Sequence, residues 1–228
     1  MAELTPAQHA TLQGNEWFAA LPPALQAAIV EAARTKQLAN GQRLYLKGQP
    51  ADGWYGVLAG AIKVGTTSPD GRETVLTWLE PGTWFGEISL VDKLPRTHDG
   101  YAYGESTMLV VAPADFERLV QAHPALLRAL LVQQSRRLRL AFALLEDAAT
   151  SPLEARLARQ LVNLAASYGR READGTVIDL HLPQDELAQL MGVSRQRINQ
   201  ALKAWERNGA LRQRYGRIVI VDPDTLVG

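Results

Sequence analysis

Residues Pro124 to Ala149 carry the most restrictive pattern in the chain. Leu127, Leu131, Gln134, Leu138, Ala141, Leu145 and Ala148 succeed one another in alternating steps of four and three. That rhythm is a heptad seam, and it predicts a helix of about 25 residues, about 37 Å long at ~1.5 Å per residue. Arg136, Arg137 and Arg139 keep the other side wet. Such a helix either lies on its own domain or zips in parallel against the same helix of a second chain. Gln134 favours pairing, since one polar seam position fixes register at a cost in stability. Paired through residues 127–148, the helix would join a domain before it to a domain after it.

The chain has 228 residues, 46% of them hydrophobic, enough for one large core or two modest ones. It has no run of eighteen apolar residues and opens on no charged-then-apolar leader, so a soluble, cytoplasmic protein without membrane contact is expected. It has no cysteine, which excludes disulfides, thiol redox sensing and thiolate-held metal or iron–sulfur sites. Net charge is zero but uneven. Between Gly192 and Arg217 there are seven Arg or Lys against one acid, Glu206. A local excess of that kind points to a polyanion.

Before the seam, residues 1–34 read as helical, with an apolar stripe of Trp17, Phe18, Leu21, Leu25, Ile29 and Val30 and a restart at Pro22-Pro23. From Lys36 to Val111 the pattern turns to short β runs: Gln42–Leu46, Trp54–Leu58, Ala61–Gly65, Thr74–Leu79 and Thr107–Val111. Turn signals separate them at Asn40-Gly41, Lys47-Gly48, Ala59-Gly60, Pro69-Asp70-Gly71 and Pro81-Gly82. This predicts an α+β protein with an N-terminal jelly-roll-like β-roll over residues 1–123, one end of which can hold a small ligand. Ala114–Ala122 reads as a short helix. The dimerisation helix and hinge occupy 124–150, and a third region runs over 151–228. Its start is marked by Ser151-Pro152-Leu153-Glu154, which reads as a capping box, with Asp147–Ser151 as the hinge. Leu153–Tyr168 is amphipathic, Tyr168–Gly175 a polar connection and Val177–Leu182 a strand.

The stretch Leu182 to Leu202 reads as helix, tight turn, helix. Pro183 begins the first helix, Leu187, Ala188 and Met191 face inward, Gly192 turns the chain, and Ser194 caps the second helix. There Ile198, Leu202 and Trp205 pack down, leaving Arg195, Gln196 and Asn199 outward, with Gln200 and Lys203 beyond them. In a major groove Arg grips guanine O6/N7, and Gln or Asn adenine N6/N7. Leu211–Val221 alternates about Tyr215-Gly216 and carries Arg212, Arg214 and Arg217, which suits a β-wing lying along phosphates. Together these predict a winged helix-turn-helix that binds double-stranded DNA.

Within the roll, Pro81-Gly82-Thr83-Trp84-Phe85-Gly86-Glu87-Ile88-Ser89-Leu90 and then Pro95-Arg96-Thr97 stand out. By themselves they could be a turn, a strand end and a surface loop. In order and over nearly its whole length, however, the chain resembles the cyclic-AMP receptor protein / fumarate–nitrate regulator (CRP/FNR) family. That resemblance implies a homodimeric transcription regulator acting on a two-fold operator and on RNA polymerase, with a cyclic nucleotide, cyclic AMP as first choice, as effector. It implies that the Gly86 N–H approaches an anionic oxygen, that Ile88 belongs to the ligand site and that Glu87 accepts a ribose hydroxyl. Arg96 and Thr97 would hold the cyclic phosphate, while Val64, Leu76 and Thr77 line base and sugar.

The chain departs from the pattern in places. Where cyclic-AMP-responsive members carry a hydroxyl on the long helix, it has Ala141, followed by Phe142. Thr97 is followed by His98-Asp99, and Asp99 could be a counter-ion for Arg96 or an obstacle to phosphate. Gln196 and Gln200 replace an acid and an arginine, which implies a different half-site. A constitutive DNA-binding protein whose roll only builds the dimer is the alternative. A cupin-like enzyme is disfavoured: His9, His98, His123 and His181 are scattered, and neither a P-loop nor a nucleophile elbow is present.

Overall fold

A computed structural model describes residues 3–68, 73–214 and 216–227. Pro69, Asp70 and Gly71, where a turn is expected, lie outside them, as does Tyr215 of the expected wing turn. The chain forms two compact units, residues 1–71 with 76–139 and residues 72–75 with 140–228.

The first unit opens on three helices, α1 (Pro6–Gln13), α2 (Glu16–Ala19) and α3 (Pro23–Ala32). Thr5 and Gln8 close a capping box at α1, and Asn15 accepts the Phe18 N–H at 3.1 Å to start α2. The strands follow as β1 (Ala33–Leu38), β2 (Arg43–Tyr45), β3 (Trp54–Thr67), β4 (Glu73–Leu79), β5 (Trp84–Phe85) and, after the short α4 (Ile88–Val91), β6 (Asp99–Val111). They form one six-stranded sheet in the order β1-β6-β3-β4, with β2 on β6 and β5 on β3. Where the sequence suggests two strands split by a turn at Ala59-Gly60, β3 is continuous over 14 residues. Its register against β6 slips around Ala59, and Gly60 takes φ +76°, where a Cβ would collide with the Glu105 carbonyl and the Ser106 hydroxyl. The Gly is therefore a bulge residue, and its turn-like composition conceals this.

Alternation along the strands divides the apolar side chains between two clusters. Trp54, Leu58 and Trp84 join Trp17, Phe18, Leu25 and Ile29 of the N-terminal helices, together with Leu126 and Leu130. Tyr55, Val57 and Phe85 join Tyr45, Ile62, Val64 and Met108 in the other. After α5 (Pro113–Ala122) comes α6 (Pro124–Thr150), 27 residues long. Leu126 and Leu130 are buried, whereas the seam residues Leu127, Leu131, Leu138 and Leu145 are 47%, 69%, 57% and 67% exposed. The helix thus carries two apolar stripes, one residue apart in phase. Among the described residues the first-unit positions Leu126 and Leu130 are covered, while Leu127, Leu131 and Leu138 are not.

The second unit holds α7 (Leu153–Tyr168), β7 (Gly169–Glu172), β8 (Gly175–Ile178), α8 (Gln184–Met191), α9 (Arg195–Arg207), β9 (Leu211–Arg214), β10 (Arg217–Ile220) and α10 (Pro223–Val227). Its sheet runs β7-β8-β10-β9. Three expectations need correction. The polar connection over 168–175 contains the strand β7, which pairs with β8 from Gly169–Ile178 to Glu172–Gly175. The strand β8 ends at Ile178 rather than Leu182. Ser151 does not cap α7: its hydroxyl donates to Asp147 Oδ1 at 2.6 Å, and Pro152 occupies the cap with no side-chain bond. That carboxylate also receives Arg159, and the two bonds, that of Arg159 first, hold Asp147 below the usual carboxylate range.

Candidate effector cassette and nucleic-acid interface

Arg96 sits almost wholly inside the roll, 3% exposed, despite its charge. Its guanidinium is enclosed by the protein. Nη1 donates to the Gly86 carbonyl at 2.7 Å, and Nη2 donates to the Gly53 carbonyl at 2.6 Å and to Asp52 Oδ1 at 2.9 Å. The Tyr45 ring lies beneath it, 4.5 Å from Cζ, and that of Tyr55 5.3 Å away. Tyr55 also donates its hydroxyl to Asp52 at 2.6 Å. Burial lifts the Tyr45 phenol to about 12, and burial together with the bond to Asp52 raises that of Tyr55, so both stay neutral. Gly86 has φ +91°, and a Cβ there would lie 3.0 Å from Arg96 Nη1. Its missing side chain makes room for the guanidinium.

Asp99 is not the counter-ion of Arg96. It is buried, and it accepts the Lys47 N–H at 2.7 Å and the Thr67 hydroxyl at 3.4 Å. Asp52 takes the counter-ion role, 44 residues from Arg96 in the chain, and nothing in the local spacing announces it.

Glu87 is buried to 1% exposure and turned toward α6. Its Oε1 accepts from Gln134 Nε2 and Arg137 Nη1, while Arg137 Nη2 donates to the Trp84 carbonyl at 2.6 Å. Gln134, expected to set register between two chains, spends its amide on Glu87 of its own chain. Leu126, Leu130, Gln133 and Arg137 repeat in steps of four, three and four, so the stripe that meets the roll was open to the same reading as the seam. Glu87 Oε2 and Arg96 Nε are both buried and unpartnered among the described residues, leaving one spare acceptor and one spare donor. A ribose hydroxyl and an anionic oxygen match them, so the cassette's chemistry fits a cyclic nucleotide.

The remaining residues expected around an effector are more dispersed. Val64 is buried in the second cluster, Thr77 is half-buried, and Leu76 and Ile88 are 44% and 41% exposed. The Thr97 hydroxyl meets His98 Nδ1 at 2.8 Å. Ala141 is exposed on the stretch of α6 belonging to the second unit.

In the second unit α8 ends on Gly192 in the left-handed conformation, φ +65°, and Ser194 caps α9 by accepting the Arg197 N–H at 3.4 Å. Ile198, Leu202 and Trp205 are buried, as are Leu187 and Ala188 of the supporting helix, whereas Met191 is only half-buried. Arg195, Gln196, Asn199, Gln200 and Lys203 line one shallow surface groove. Asn199 is not fully outward: half-buried, it donates to Gln184 at 3.0 Å, and Gln184 donates to Gln213 at 3.0 Å. This amide chain ties reading helix, supporting helix and wing together. Arg212, Arg214 and Arg217 lie exposed on β9 and β10. Exposed Arg197 on the same helix was not among the expected contacts.

Comparison with known proteins agrees with both halves. Residues 35–123 match the cyclic nucleotide-binding domain and residues 155–227 the Crp-like helix-turn-helix domain. Over 209 residues the chain is 30% identical to the CRP-like cAMP-activated global transcriptional regulator of Mycobacterium tuberculosis, covering 92% of this chain and 93% of that one. The chain belongs to the CRP/FNR family. A solved CRP-family regulator from Thermus thermophilus superposes with a TM-score of 0.70 at 26% identity, covering 84% of this chain and 94% of the other. The c-di-GMP responsive regulator CLP of Xanthomonas campestris shares the fold, with a TM-score of 0.74 at 23% identity over 87% of this chain and 99% of that one. As a CRP-like protein, the chain is a transcription regulator built from a cyclic nucleotide-binding domain and a DNA-binding helix-turn-helix. Among the described residues no helix is long and apolar enough to cross a membrane, and no three His, Asp or Glu side chains gather to hold a metal.

Proposed function

We propose that the protein is a homodimer that reads a two-fold operator and is gated by a cyclic nucleotide, cyclic AMP first, bound at Arg96, Glu87 and Thr97. Glu87 carries this reading. One of its oxygens is bonded to Gln134 and Arg137 on α6, and the other is buried and spare. A ribose hydroxyl arriving at the spare oxygen would bear on the side chain that holds the helix. A ligand shifts such an equilibrium only by its differential affinity for the two states. The dimer is supported by the exposed seam, since an apolar stripe of Leu127, Leu131, Leu138 and Leu145 left facing water calls for a partner. Arg195, Gln196 and Gln200 are assigned to bases, with Asn199 reaching them only by leaving Gln184. Lys203, Arg212, Arg214 and Arg217 are assigned to phosphates, and Ser194 positions the helix. RNA polymerase is the partner on which the bound dimer would act.

The deciding measurement is DNA affinity of the purified protein, on duplexes selected from a random pool, with and without cyclic AMP and cyclic GMP. Gating predicts a tighter complex with one nucleotide. An unchanged dissociation constant with each of them at saturation would reject it. One observation favours a second reading, in which the roll serves dimerisation alone: the Arg96 fork is already filled by Asp52 and two carbonyls. A nucleotide that raises the melting midpoint by mass action excludes that reading.

A further inference from the structure

The wing's arginines do not wait free for DNA. Arg212 Nη1 lies 3.2 Å from Asp174 Oδ2, Arg214 Nη1 3.4 Å from Glu172 Oε2 and Arg217 Nη1 2.9 Å from Asp179 Oδ1. All three carboxylates come from one short stretch, the β7–β8 hairpin and the residue just after it. Glu172 is further shared with Arg170 at 2.8 Å. The arginine side chains are about half exposed or more, so a phosphate can reach each guanidinium without unfolding anything. It cannot do so without displacing a carboxylate or sharing the cation with it. Each carboxylate left beside the duplex then faces a polyanion, which opposes binding.

We propose that Glu172, Asp174 and Asp179 are affinity-setting residues that compete with DNA phosphates for the wing. They lower sequence-independent attraction while leaving base recognition on α9 untouched. The proposal rests on the reading of Arg212, Arg214 and Arg217 as phosphate contacts. It makes the hairpin, which has no part in the helix-turn-helix itself, a determinant of how tightly the protein holds any duplex. Because the competition is for phosphates, its release should act alike on every sequence. It should also steepen the salt dependence, since each freed arginine can displace one more counterion.

The test compares the full-length protein with the double variant Glu172→Gln/Asp174→Asn. A control of equal charge change is Glu154→Gln/Asp224→Asn, whose carboxylates pair with no cation among the described residues. Affinity is measured for a selected duplex and for its shuffled counterpart between about 50 and 200 mM salt. The expected result is an affinity about fivefold higher for both duplexes at low salt, from pairs of this exposed kind. The salt slope should steepen by up to about 0.9 per freed arginine. The control should move much less, and the melting midpoint of either variant should shift by under about 4 °C. Single variants Glu172→Gln and Asp174→Asn should each show a smaller effect in the same direction. An unchanged affinity, a gain confined to the selected duplex, or an equal gain in the control would overturn the proposal. A third protein, Arg212→Ala/Arg214→Ala, separates the two ways of failing. If it binds every duplex more weakly while the acid variants do nothing, the wing contacts DNA and the acids are bystanders. If it binds as the parent does, the phosphate-contact reading itself is wrong.

Discussion

Arg96 in the roll and Arg212, Arg214 and Arg217 in the wing are all paired with carboxylates, yet only the first is withdrawn from water. Arg96 is enclosed by two carbonyls, an acid and two aromatic rings, so its fork points in one direction and its Nε is left without a partner among the described residues. The wing cations, though each paired, stay about half exposed or more. A fixed cation in a dry site can discriminate among small anions by geometry, and it is costly to disturb. Mobile surface cations attract any phosphate, are screened by salt and are cheap to alter. On the proposed function, the same side chain would serve recognition in one region and adhesion in the other.

The largest test of that contrast is Arg96→Leu. It leaves half-exposed Asp52 without its cation, and the buried Gly53 and half-buried Gly86 carbonyls without a donor, and should cost about 3 kcal/mol in urea unfolding. It should also abolish any nucleotide-induced rise in melting midpoint. A loss below about 1 kcal/mol would place Arg96 in the surface class and erase the distinction. Leu138→Glu asks whether either region works without a second copy. Because Leu138 is exposed in the single chain, the variant should fold normally, sediment as a monomer and lose about a hundredfold in operator affinity, the scale set by bivalent engagement. Arg195→Ala should weaken the preferred duplex about tenfold and relax preference at one base pair, seen by comparing single-base variants of the site. Arg214→Ala should weaken all duplexes alike, flatten the salt slope by about 1, and leave stability within about 0.5 kcal/mol. The smallest effect concerns His98, whose imidazole is held below its ordinary range by burial and by Lys47 against the opposing pull of Asp99. With the folded value depressed, the unfolded chain takes up the proton first as pH falls below about 6.5, so stability declines on acidification. His98→Gln should flatten that decline in melting midpoint between neutral and mildly acidic pH.

How much of this was legible in the sequence differs from one element to the next. The helix-turn-helix could be read almost residue by residue, because Gly192 and Ser194 are local devices and Ile198, Leu202 and Trp205 recur at helical spacing. The long helix α6 was legible for the same reason. The strand over Trp54–Thr67 was divided in two, because Ala59-Gly60 has the composition of a turn and only the register against β6 reveals a bulge. β7 was missed because Gly169–Glu172 is polar on both sides and carries no alternation. At the cassette, Arg96 and Glu87 came from a resemblance to a family, but their partners did not. Asp52 and Arg137 meet them only through tertiary packing, across 44 and 50 residues of chain, and no local period spans such distances.

One small element has a practical outcome. β5 is just Trp84 and Phe85, and these neighbours point into different clusters, the indole among the N-terminal helices and the phenyl beside Tyr45 and Tyr55. A shift of the β5 backbone would therefore reach both clusters. The Trp84 indole is stacked on Phe18 and close to Trp54, where its emission is sensitive to displacement. Intrinsic tryptophan emission, to which Trp84 contributes with four other indoles, would therefore register a rearrangement of β5 without a label.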